Sequence, residues 1–345
     1  MPEKTLEIFS KPEDAQVDIV FVPGLAETMR QAWAGSQQKK PLWPQELLGI
    51  DIPSARIIAY EYDASIDVAD YVEHANDFCR RLSVLRNNTR TTERPIVLVT
   101  HSLGGIVFAQ LLGKGDGIIE KSPFKDLSKH IRGLAFFGTP FQNSGDLSLV
   151  ERVGKIACLF EIPIQALVNA SQLLSSFSEV LAKRAEEKRE IRVVSFYEGC
   201  DTCLSTGRNG EQNTLVDQTA ATIPNHGSVL AIEGDHFGIC TFKSKDDEYY
   251  KKVVQELRNL AQVEGHNKAS TGNGIYNYGT WIEGNVTGGK HDNNQGQINY
   301  GTISNQNIGV RQGNQGGEKE RDPARPKKEN PKKGKASQFL QGIFK

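Results

Sequence analysis

The strongest constraint on the fold is a series of short, almost wholly apolar runs that alternate with stretches of helical spacing. The apolar runs cover 17–22, 55–60, 95–99, 131–137 and 191–197, and helical spacing covers 68–85, 106–112 and 247–261. Runs without polar alternation are typical of parallel strands whose two faces are both covered by helices. The pattern predicts an α/β domain over residues 1–265, built as a mostly parallel sheet between helices.

Charge and hydropathy exclude several classes of function. The 345 residues carry a formal net charge of −1, so bulk electrostatics does not favour binding to nucleic acid. The N-terminal residues are charged and lack the apolar core of a signal peptide, and no apolar run reaches the ~18 residues of a membrane span. We therefore expect a cytoplasmic protein.

The five cysteines show no disulfide framework. Cys200 and Cys203 form a CxxC pair, but no second CxxC or histidine pair accompanies them to complete a zinc site. We interpret all five as free thiols in a reducing compartment and expect neither a metal nor a cofactor.

The segment Val99-Thr100-His101-Ser102-Leu103-Gly104-Gly105 carries the clearest chemical signal. It follows a predicted strand and opens a predicted helix, which is the context of a nucleophile elbow. In that turn the serine stands at the carboxyl end of the strand, beside the N-terminus of the helix. Gly104 suits the downstream small-residue position, whereas Thr100 replaces the usual upstream glycine. Ser102 is the predicted nucleophile.

A serine nucleophile needs a general base and an acid that orients it. The base is expected after the last strands, where His236 lies, and His226 is the competitor. His101 is beside the serine but points elsewhere by the geometry of the elbow. For the acid, Glu198 at the end of a late strand is the first choice, with Asp217 and Asp201 as alternatives.

An oxyanion hole requires two backbone N–H groups. One is expected from Leu103, the residue after the nucleophile, and the other from the loop after the first strand, Pro23-Gly24-Leu25. Leu25 is the favoured donor in that loop. The apolar segment 141–189 is interpreted as a cap over the active site, or else as an ordinary pair of packing helices.

The C-terminal quarter has a different composition. Of the 47 residues in 271–317, 26 are Gly, Asn or Gln, too polar for an ordinary core. Asn277-Tyr278-Gly279-Thr280 recurs as Asn299-Tyr300-Gly301-Thr302, 22 positions later. A repeat of this length, with strand-forming residues and matched asparagines, predicts two stacked β-solenoid rungs that assemble between chains, with a flexible linker as the alternative. We assign 266–317 to this repeat.

Residues 318–345 form a basic tail with nine Lys or Arg and four Asp or Glu. We expect it to be disordered. Because its last residues include Phe339, Leu340, Ile343 and Phe344, contact with an anionic membrane surface is a second interpretation.

Six segments of residues 5–260 together resemble the serine esterase/lipase domain found at the N-terminus of many fungal NLR-type receptors. They are Ile19-Val20-Phe21-Val22-Pro23-Gly24-Leu25, Trp43-Pro44, His101-Ser102-Leu103-Gly104-Gly105, Phe137-Gly138-Thr139-Pro140, Phe196-Tyr197-Glu198 and Asp235-His236. The resemblance implies an α/β-hydrolase fold and an ester or lipid substrate. Family members have histidine at the position of Pro23, glycine at Thr100 and histidine at Phe141.

The C-terminal repeat is similar to the prion-type amyloid motifs of fungal incompatibility systems, which occur on short SesB-like hydrolases. That similarity implies self-association through 271–317 and an NLR-type receptor with a matching motif as partner. It also implies a role in programmed cell death, and membrane association on activation is the expectation that the basic tail at 318–345 adds. Two hypotheses follow: a serine hydrolase switched on through its tail, or an inactive hydrolase scaffold that works by amyloid-templated assembly.

Overall fold

The computed structural model describes residues 6–35, 40–63, 66–113, 127–167, 169–187, 190–203 and 212–261. Within these ranges the strands are β1 (Leu6–Ser10), β2 (Val17–Val22), β3 (Ala55–Tyr60), β4 (Ile96–His101), β5 (Ile131–Phe137), β6 (Arg192–Glu198), β7 (Thr202–Cys203), β8 (Gln212–Asn213) and β9 (Ser228–Ile232). The helices are α1 (Met29–Ala34), α2 (Trp43–Glu46), α3 (Leu48–Asp51), α4 (Tyr71–Asn88), α5 (Gly104–Gly113), α6 (Leu149–Leu159), α7 (Ala170–Ser175), α8 (Phe177–Glu186), α9 (Gln218–Ala221) and α10 (Glu248–Ala261).

Seven of these strands form one sheet in the order β1-β3-β2-β4-β5-β6-β9. Strand β1 runs antiparallel to β3 at one edge, and every other pairing is parallel. Because these pairings are parallel, the carboxyl ends of the strands lie at the same edge of the sheet. Strand β4 lies at the centre and leads directly into α5 at that edge. This is the α/β-hydrolase fold, and the predicted fold class is confirmed.

The sheet is buried on both faces. Along β2, Val20 and Val22 belong to one apolar cluster, whereas Ile19 and Phe21 belong to a second cluster on the opposite face. The other central strands divide their side chains in the same way. This explains why the strands read as continuous apolar runs: alternate residues enter different cores, and neither face is left to water.

Most predicted element boundaries lie within a few residues of those observed. Helix α4 was expected over 68–85 and begins later, because the Asp70 carboxylate accepts the Glu73 N–H at 3.0 Å and caps the helix at its start. The edge strands β1 and β9 were not predicted. Both are only five residues long and largely half-buried, so their apolar pattern is weak.

The apolar segment 141–189 contains α6, α7 and α8, as its helical spacing predicted. Helix α6 begins with a capping box in which Ser148 and Glu151 bond each other's backbone N–H groups. The Phe177 ring at the start of α8 stacks on Phe141 and meets the edge of Phe136 in β5. These ring contacts fix α8 to the core, and the buried apolar residues of all three helices belong to the apolar cluster that also contains residues of α4 and α5.

No helix within the described residues is long and apolar enough to cross a membrane. The repeat at 271–317 and the basic tail at 318–345 lie outside the described residues, so the solenoid prediction stays a prediction.

Candidate active site

Ser102 occupies a sharp turn between β4 and α5. Its φ is +52°, in the left-handed region that costs an ordinary L-residue roughly 1–2 kcal/mol. The Ser102 N–H donates to the Phe137 carbonyl at 2.8 Å, and the Thr139 hydroxyl donates to the Ser102 carbonyl at 2.7 Å. These bonds hold the strained residue on the neighbouring strand β5 and aim its hydroxyl away from the sheet.

The turn is closely packed, which accounts for its small residues. A Cβ added to Gly104 would lie 2.4 Å from both the Pro23 carbonyl oxygen and the Thr100 hydroxyl oxygen. Thr100, which replaces the usual upstream glycine, is fully buried, and its hydroxyl bonds no other described residue. A buried hydroxyl without a hydrogen-bond partner costs about 1–3 kcal/mol. Threonine in place of glycine at position 100 therefore lowers the free energy of unfolding by about that amount.

His236 lies in the loop after β9 and is fully buried. Its Nε2 is 2.7 Å from Ser102 Oγ, and its backbone N–H donates to the Thr202 hydroxyl at 2.9 Å. Gly138, with φ +61°, passes so near the ring that an added Cβ would stand 3.2 Å from His236 Nδ1. The imidazole is thus enclosed, and its Nε2 is directed at the serine.

Glu198, the last residue of β6, lies behind the imidazole and is 3% exposed. Its Oε1 is 2.8 Å from His236 Nδ1 and also accepts the Val216 N–H at 2.9 Å. Its Oε2 accepts the Leu215 N–H at 2.9 Å and the Thr202 hydroxyl at 3.2 Å. Four hydrogen-bond donors thus surround one buried carboxyl and fix its orientation behind the imidazole.

The alternative acids and base lie elsewhere. Asp217 caps α9 through the Ala220 N–H and bonds Arg152 at 2.9 Å, so its carboxylate faces away from the imidazole. Although burial opposes it, the bond to Ala220 and the Arg152 charge hold the pKa of Asp217 below its ordinary value. Asp201 accepts the Thr214 hydroxyl, and His226 bonds the Ser178 carbonyl at 2.9 Å.

The two N–H groups expected to bind an oxyanion belong to buried residues beside Ser102. Neither the Leu25 N–H nor the Leu103 N–H bonds any part of the chain that the structure describes. Gly24 brings its loop close, since a Cβ there would be 3.3 Å from the Ser102 Cβ. The Glu27 N–H donates back to the Gly24 carbonyl at 3.0 Å and closes a turn over Leu25.

Two contributors to the site were missed by the sequence reasoning. Thr202 bonds both Glu198 and the His236 backbone, and Glu27 bonds both Gly24 and His101. Glu27 lies in a loop and Thr202 in the two-residue strand β7, and neither place gives a sequence pattern of its own. His101 was expected to point away from the serine, and this is confirmed: its ring nitrogens contact Glu27 and the His236 carbonyl.

Two aromatic side chains stand beside His236. The Phe160 ring, at the end of α6, lies 6.4 Å from the imidazole and 5.6 Å from the Phe237 ring. Phe237 is 39% exposed, unusually high for a large apolar side chain next to such a buried residue. The surroundings of the serine on this side are therefore apolar.

Among the described residues, no group of three or more His, Cys, Asp or Glu is placed to hold a metal ion. Cys79, Cys158, Cys200 and Cys240 are free thiols. For Cys203, the fifth cysteine, the free thiol stays a prediction.

Comparison with known proteins returns distant relatives. No protein-family profile matches the chain. It is similar to Protein SERAC1 of Danio rerio, with 25% identity over 270 residues, and of Bos taurus, with 23% identity over 268 residues. Each alignment covers 70% of this chain but only 39% of the relative, so the chain matches well under half of these proteins.

Solved structures of the same architecture are more distant. The siderophore hydrolase EstB from Aspergillus fumigatus aligns with 76% of this chain and 96% of its own, at 11% identity and a TM-score of 0.44. A monoglyceride lipase from Saccharomyces cerevisiae aligns with 72% of this chain and 87% of its own, at 10% identity and a TM-score of 0.43. Sequence identities and TM-scores this low do not assign the chain to a family. The fold class rests on the strand order described above.

Proposed function

We propose that this chain is a serine hydrolase of carboxylic esters, with Ser102 as nucleophile, His236 as general base and Glu198 as the acid of the triad. The observation that carries the proposal is one continuous line of contacts. Ser102 Oγ lies 2.7 Å from His236 Nε2, and His236 Nδ1 lies 2.8 Å from Glu198 Oε1. Geometry of this kind defines a triad irrespective of sequence position.

In acylation, Ser102 Oγ attacks the ester carbonyl carbon while its proton passes to His236 Nε2. The carbonyl π electrons move to the oxygen, and the Leu25 and Leu103 N–H groups donate to the resulting oxyanion. The Glu198 carboxylate faces the imidazolium that forms. Because these residues are buried, such interactions act at a lower dielectric than in water and are correspondingly stronger.

The tetrahedral intermediate then collapses. The bond from carbon to the alcohol oxygen breaks, and the leaving oxygen takes the proton from His236 Nε2. In deacylation His236 accepts a proton from water, the hydroxyl adds to the acyl carbon, and Ser102 Oγ leaves and recovers that proton. The products are an acid and an alcohol, and the chain returns to its starting state.

The substrate is an ester with an apolar acyl or alcohol group, including a lipid. Phe160 and Phe237 support this, since their rings stand next to the His236 imidazole, at 6.4 Å and 5.9 Å. An apolar group against these rings gains burial without leaving a polar group unpaired.

Hydrolysis of short p-nitrophenyl esters tests the proposal. Ser102→Ala should reduce kcat by ~10⁴–10⁶ with an unchanged circular dichroism spectrum, because only one hydroxyl is removed. Wild-type activity in Ser102→Ala would contradict the proposal that Ser102 is the nucleophile. An inactive wild type would instead favour the scaffold hypothesis.

For the biological role we propose a cytoplasmic effector of NLR-linked cell death, switched on through the repeat at 271–317. The support is the 22-residue repeat in the sequence and its similarity to amyloid signalling motifs. Stacking of the repeat between chains, or onto an NLR-type receptor with a matching motif, would concentrate the hydrolase domains. The basic tail would then bring them to an anionic membrane surface.

A peptide of residues 271–317 tests this part separately. It should form fibrils with a ~4.7 Å cross-β spacing, and Pro at both Val286 and Ile308 should prevent them, because proline removes ladder donors. The full chain with both substitutions should keep its esterase activity. A peptide that stays monomeric when seeded contradicts the amyloid role and leaves the hydrolase proposal intact.

A further inference from the structure

A second buried acid–histidine pair lies directly beside the proposed triad. The Glu27 carboxylate, 7% exposed, accepts the Gly24 N–H at 3.0 Å, and the same oxygen is 2.5 Å from His101 Nδ1. The other ring nitrogen, His101 Nε2, is 2.9 Å from the carbonyl oxygen of His236. One side chain pair therefore connects the loop that carries Leu25 to the backbone of the proposed general base.

The contacts determine the protonation of this pair. A carbonyl oxygen accepts hydrogen bonds only, so His101 Nε2 must carry a proton. An ionised Glu27 also accepts only, so His101 Nδ1 carries a second proton and the ring is a cation. Burial alone lowers the pKa of His101, but Cys240 and Glu27 outweigh it and raise that pKa well above its usual value. Burial also raises the pKa of the Cys240 thiol above its ordinary value.

The loop that this pair holds is short and strained. Ala26 has φ +66°, a conformation disfavoured for alanine, in the turn closed by the Glu27 N–H and the Gly24 carbonyl. On its other side the Tyr62 hydroxyl donates to the Pro23 carbonyl at 3.0 Å. The Leu25 N–H is thus fixed between two side-chain anchors, and the Glu27 anchor is also linked through His101 to the His236 carbonyl.

We propose that Glu27 and His101 are positioning residues that set the distance between the Leu25 N–H, Ser102 and His236. The inference rests on the proposed esterase function and extends it to two residues that touch neither the ester nor its reacting atoms. Oxyanion donors must be placed where charge develops in the transition state, and small displacements of such groups are costly. Loss of the pair should therefore affect kcat more than KM.

The test compares Glu27→Gln, His101→Gln and the double variant with the wild type in p-nitrophenyl ester hydrolysis. Each single variant should lower kcat by about 10–10²-fold and change KM less than about threefold. Inhibition by an alkyl trifluoromethyl ketone, which forms a tetrahedral oxyanion on serine, should weaken in parallel with kcat. The double variant should lose less than the product of the single losses, because the two residues act as one unit.

Tyr250→Phe is the matched control. It removes one partly buried hydroxyl contact, that of Tyr250 in α10 with Asp51 in α3 at 2.7 Å, and should leave kcat and inhibitor binding unchanged. A folded Glu27→Gln variant with wild-type kcat and wild-type inhibition would overturn the inference. So would single losses that simply multiply in the double variant.

The charge of the His101 ring can be tested on the wild-type protein, so this test does not depend on the folding of a variant. Nitrogen NMR of the histidine rings should show one histidine with both ring nitrogens protonated at neutral pH and above. A spectrum in which every ring is neutral there contradicts the ion pair. Fluorophosphonate labelling of wild-type Ser102 separates the two proposals: labelled enzyme with unaffected pair variants refutes only the positioning role, whereas unlabelled enzyme refutes the esterase itself.

Discussion

Replacement of Glu198 by glutamine probes the triad most finely, because it changes one atom and one charge in a closed pocket. The carboxyl receives four hydrogen bonds, two at each oxygen, from His236 Nδ1, Val216 N–H, Leu215 N–H and the Thr202 hydroxyl. A glutamine amide offers one oxygen and one NH₂ group, so one of these two pairs of donors must lose its acceptor.

Each orientation of the amide has a definite consequence. If the glutamine NH₂ group takes the place of Oε1, that NH₂ group faces His236 Nδ1 and the Val216 N–H. The imidazole must then carry its proton on Nε2, the wrong tautomer for accepting a proton from Ser102. With NH₂ in place of Oε2, the tautomer is kept, but the Leu215 N–H faces another donor and the negative charge behind His236 is lost.

The magnitudes follow from these contacts. A buried donor without an acceptor costs about 1–3 kcal/mol, which is the expected loss of stability. Loss of the charge or of the correct tautomer should lower kcat by about 10²–10⁴, equivalent to about 2.7–5.5 kcal/mol of transition-state free energy. KM should change little, because Glu198 has no contact with a bound ester in this geometry.

The assay is steady-state hydrolysis of a p-nitrophenyl ester, with thermal unfolding of each variant as the measure of stability. Asp217→Asn and Asp201→Asn are the matched controls and should keep kcat within about threefold. Asparagine also caps helices, so α9 should survive in the first of them. If Asp217→Asn caused the dominant loss of kcat, or Glu198→Gln kept wild-type activity, the assignment of the acid would be wrong.

Two further predictions concern the turn at the serine. Gly104→Ala should destabilise the fold by about 1–3 kcal/mol and lower kcat, because the added Cβ would lie 2.4 Å from the Pro23 carbonyl oxygen. Gly113→Ala, in the same helix, is the control. Its Cβ would make only an ordinary contact, 3.8 Å from Val180, so stability and kcat should both stay unchanged. Ser102→Gly should be more stable than Ser102→Ala by about 0.5–1 kcal/mol in denaturant unfolding, because glycine relieves the φ of +52°. Equal free energies of unfolding for Ser102→Gly and Ser102→Ala would contradict the claim that the backbone at position 102 is strained.

The central strands and the turn at Ser102 could be predicted because local sequence determines them. Strand β2 was predicted at its observed bounds, since residues buried on two faces leave an unmistakable apolar run. The turn follows from small residues between an apolar strand and a helix, and it remained recognisable despite Thr100. The expected positions of His236 and Glu198 came from the order of elements alone, and the structure brings both to Ser102.

The remaining features depend on contacts between distant parts of the chain. Asp217 and Asp201 could not be separated from Glu198 by sequence, because all three follow apolar residues. Only the folded chain places Glu198 against His236 Nδ1, at 2.8 Å. Glu27 reaches His101 across 74 positions, and Thr202 reaches the His236 backbone across 34. Side chains in loops and in a two-residue strand show no periodicity, so their partners become visible only in the folded chain.

Covalent labelling by a fluorophosphonate, with the modified peptide identified by mass spectrometry, tests the central claim most directly. The proposed mechanism predicts one modified residue, Ser102, in the folded wild type. Labelling should be abolished in Ser102→Ala and slowed by at least ~10²-fold in His236→Ala, because the probe reports the activated hydroxyl itself. A wild-type chain that stays unlabelled at Ser102 while folded, or equal labelling in His236→Ala, would contradict the account.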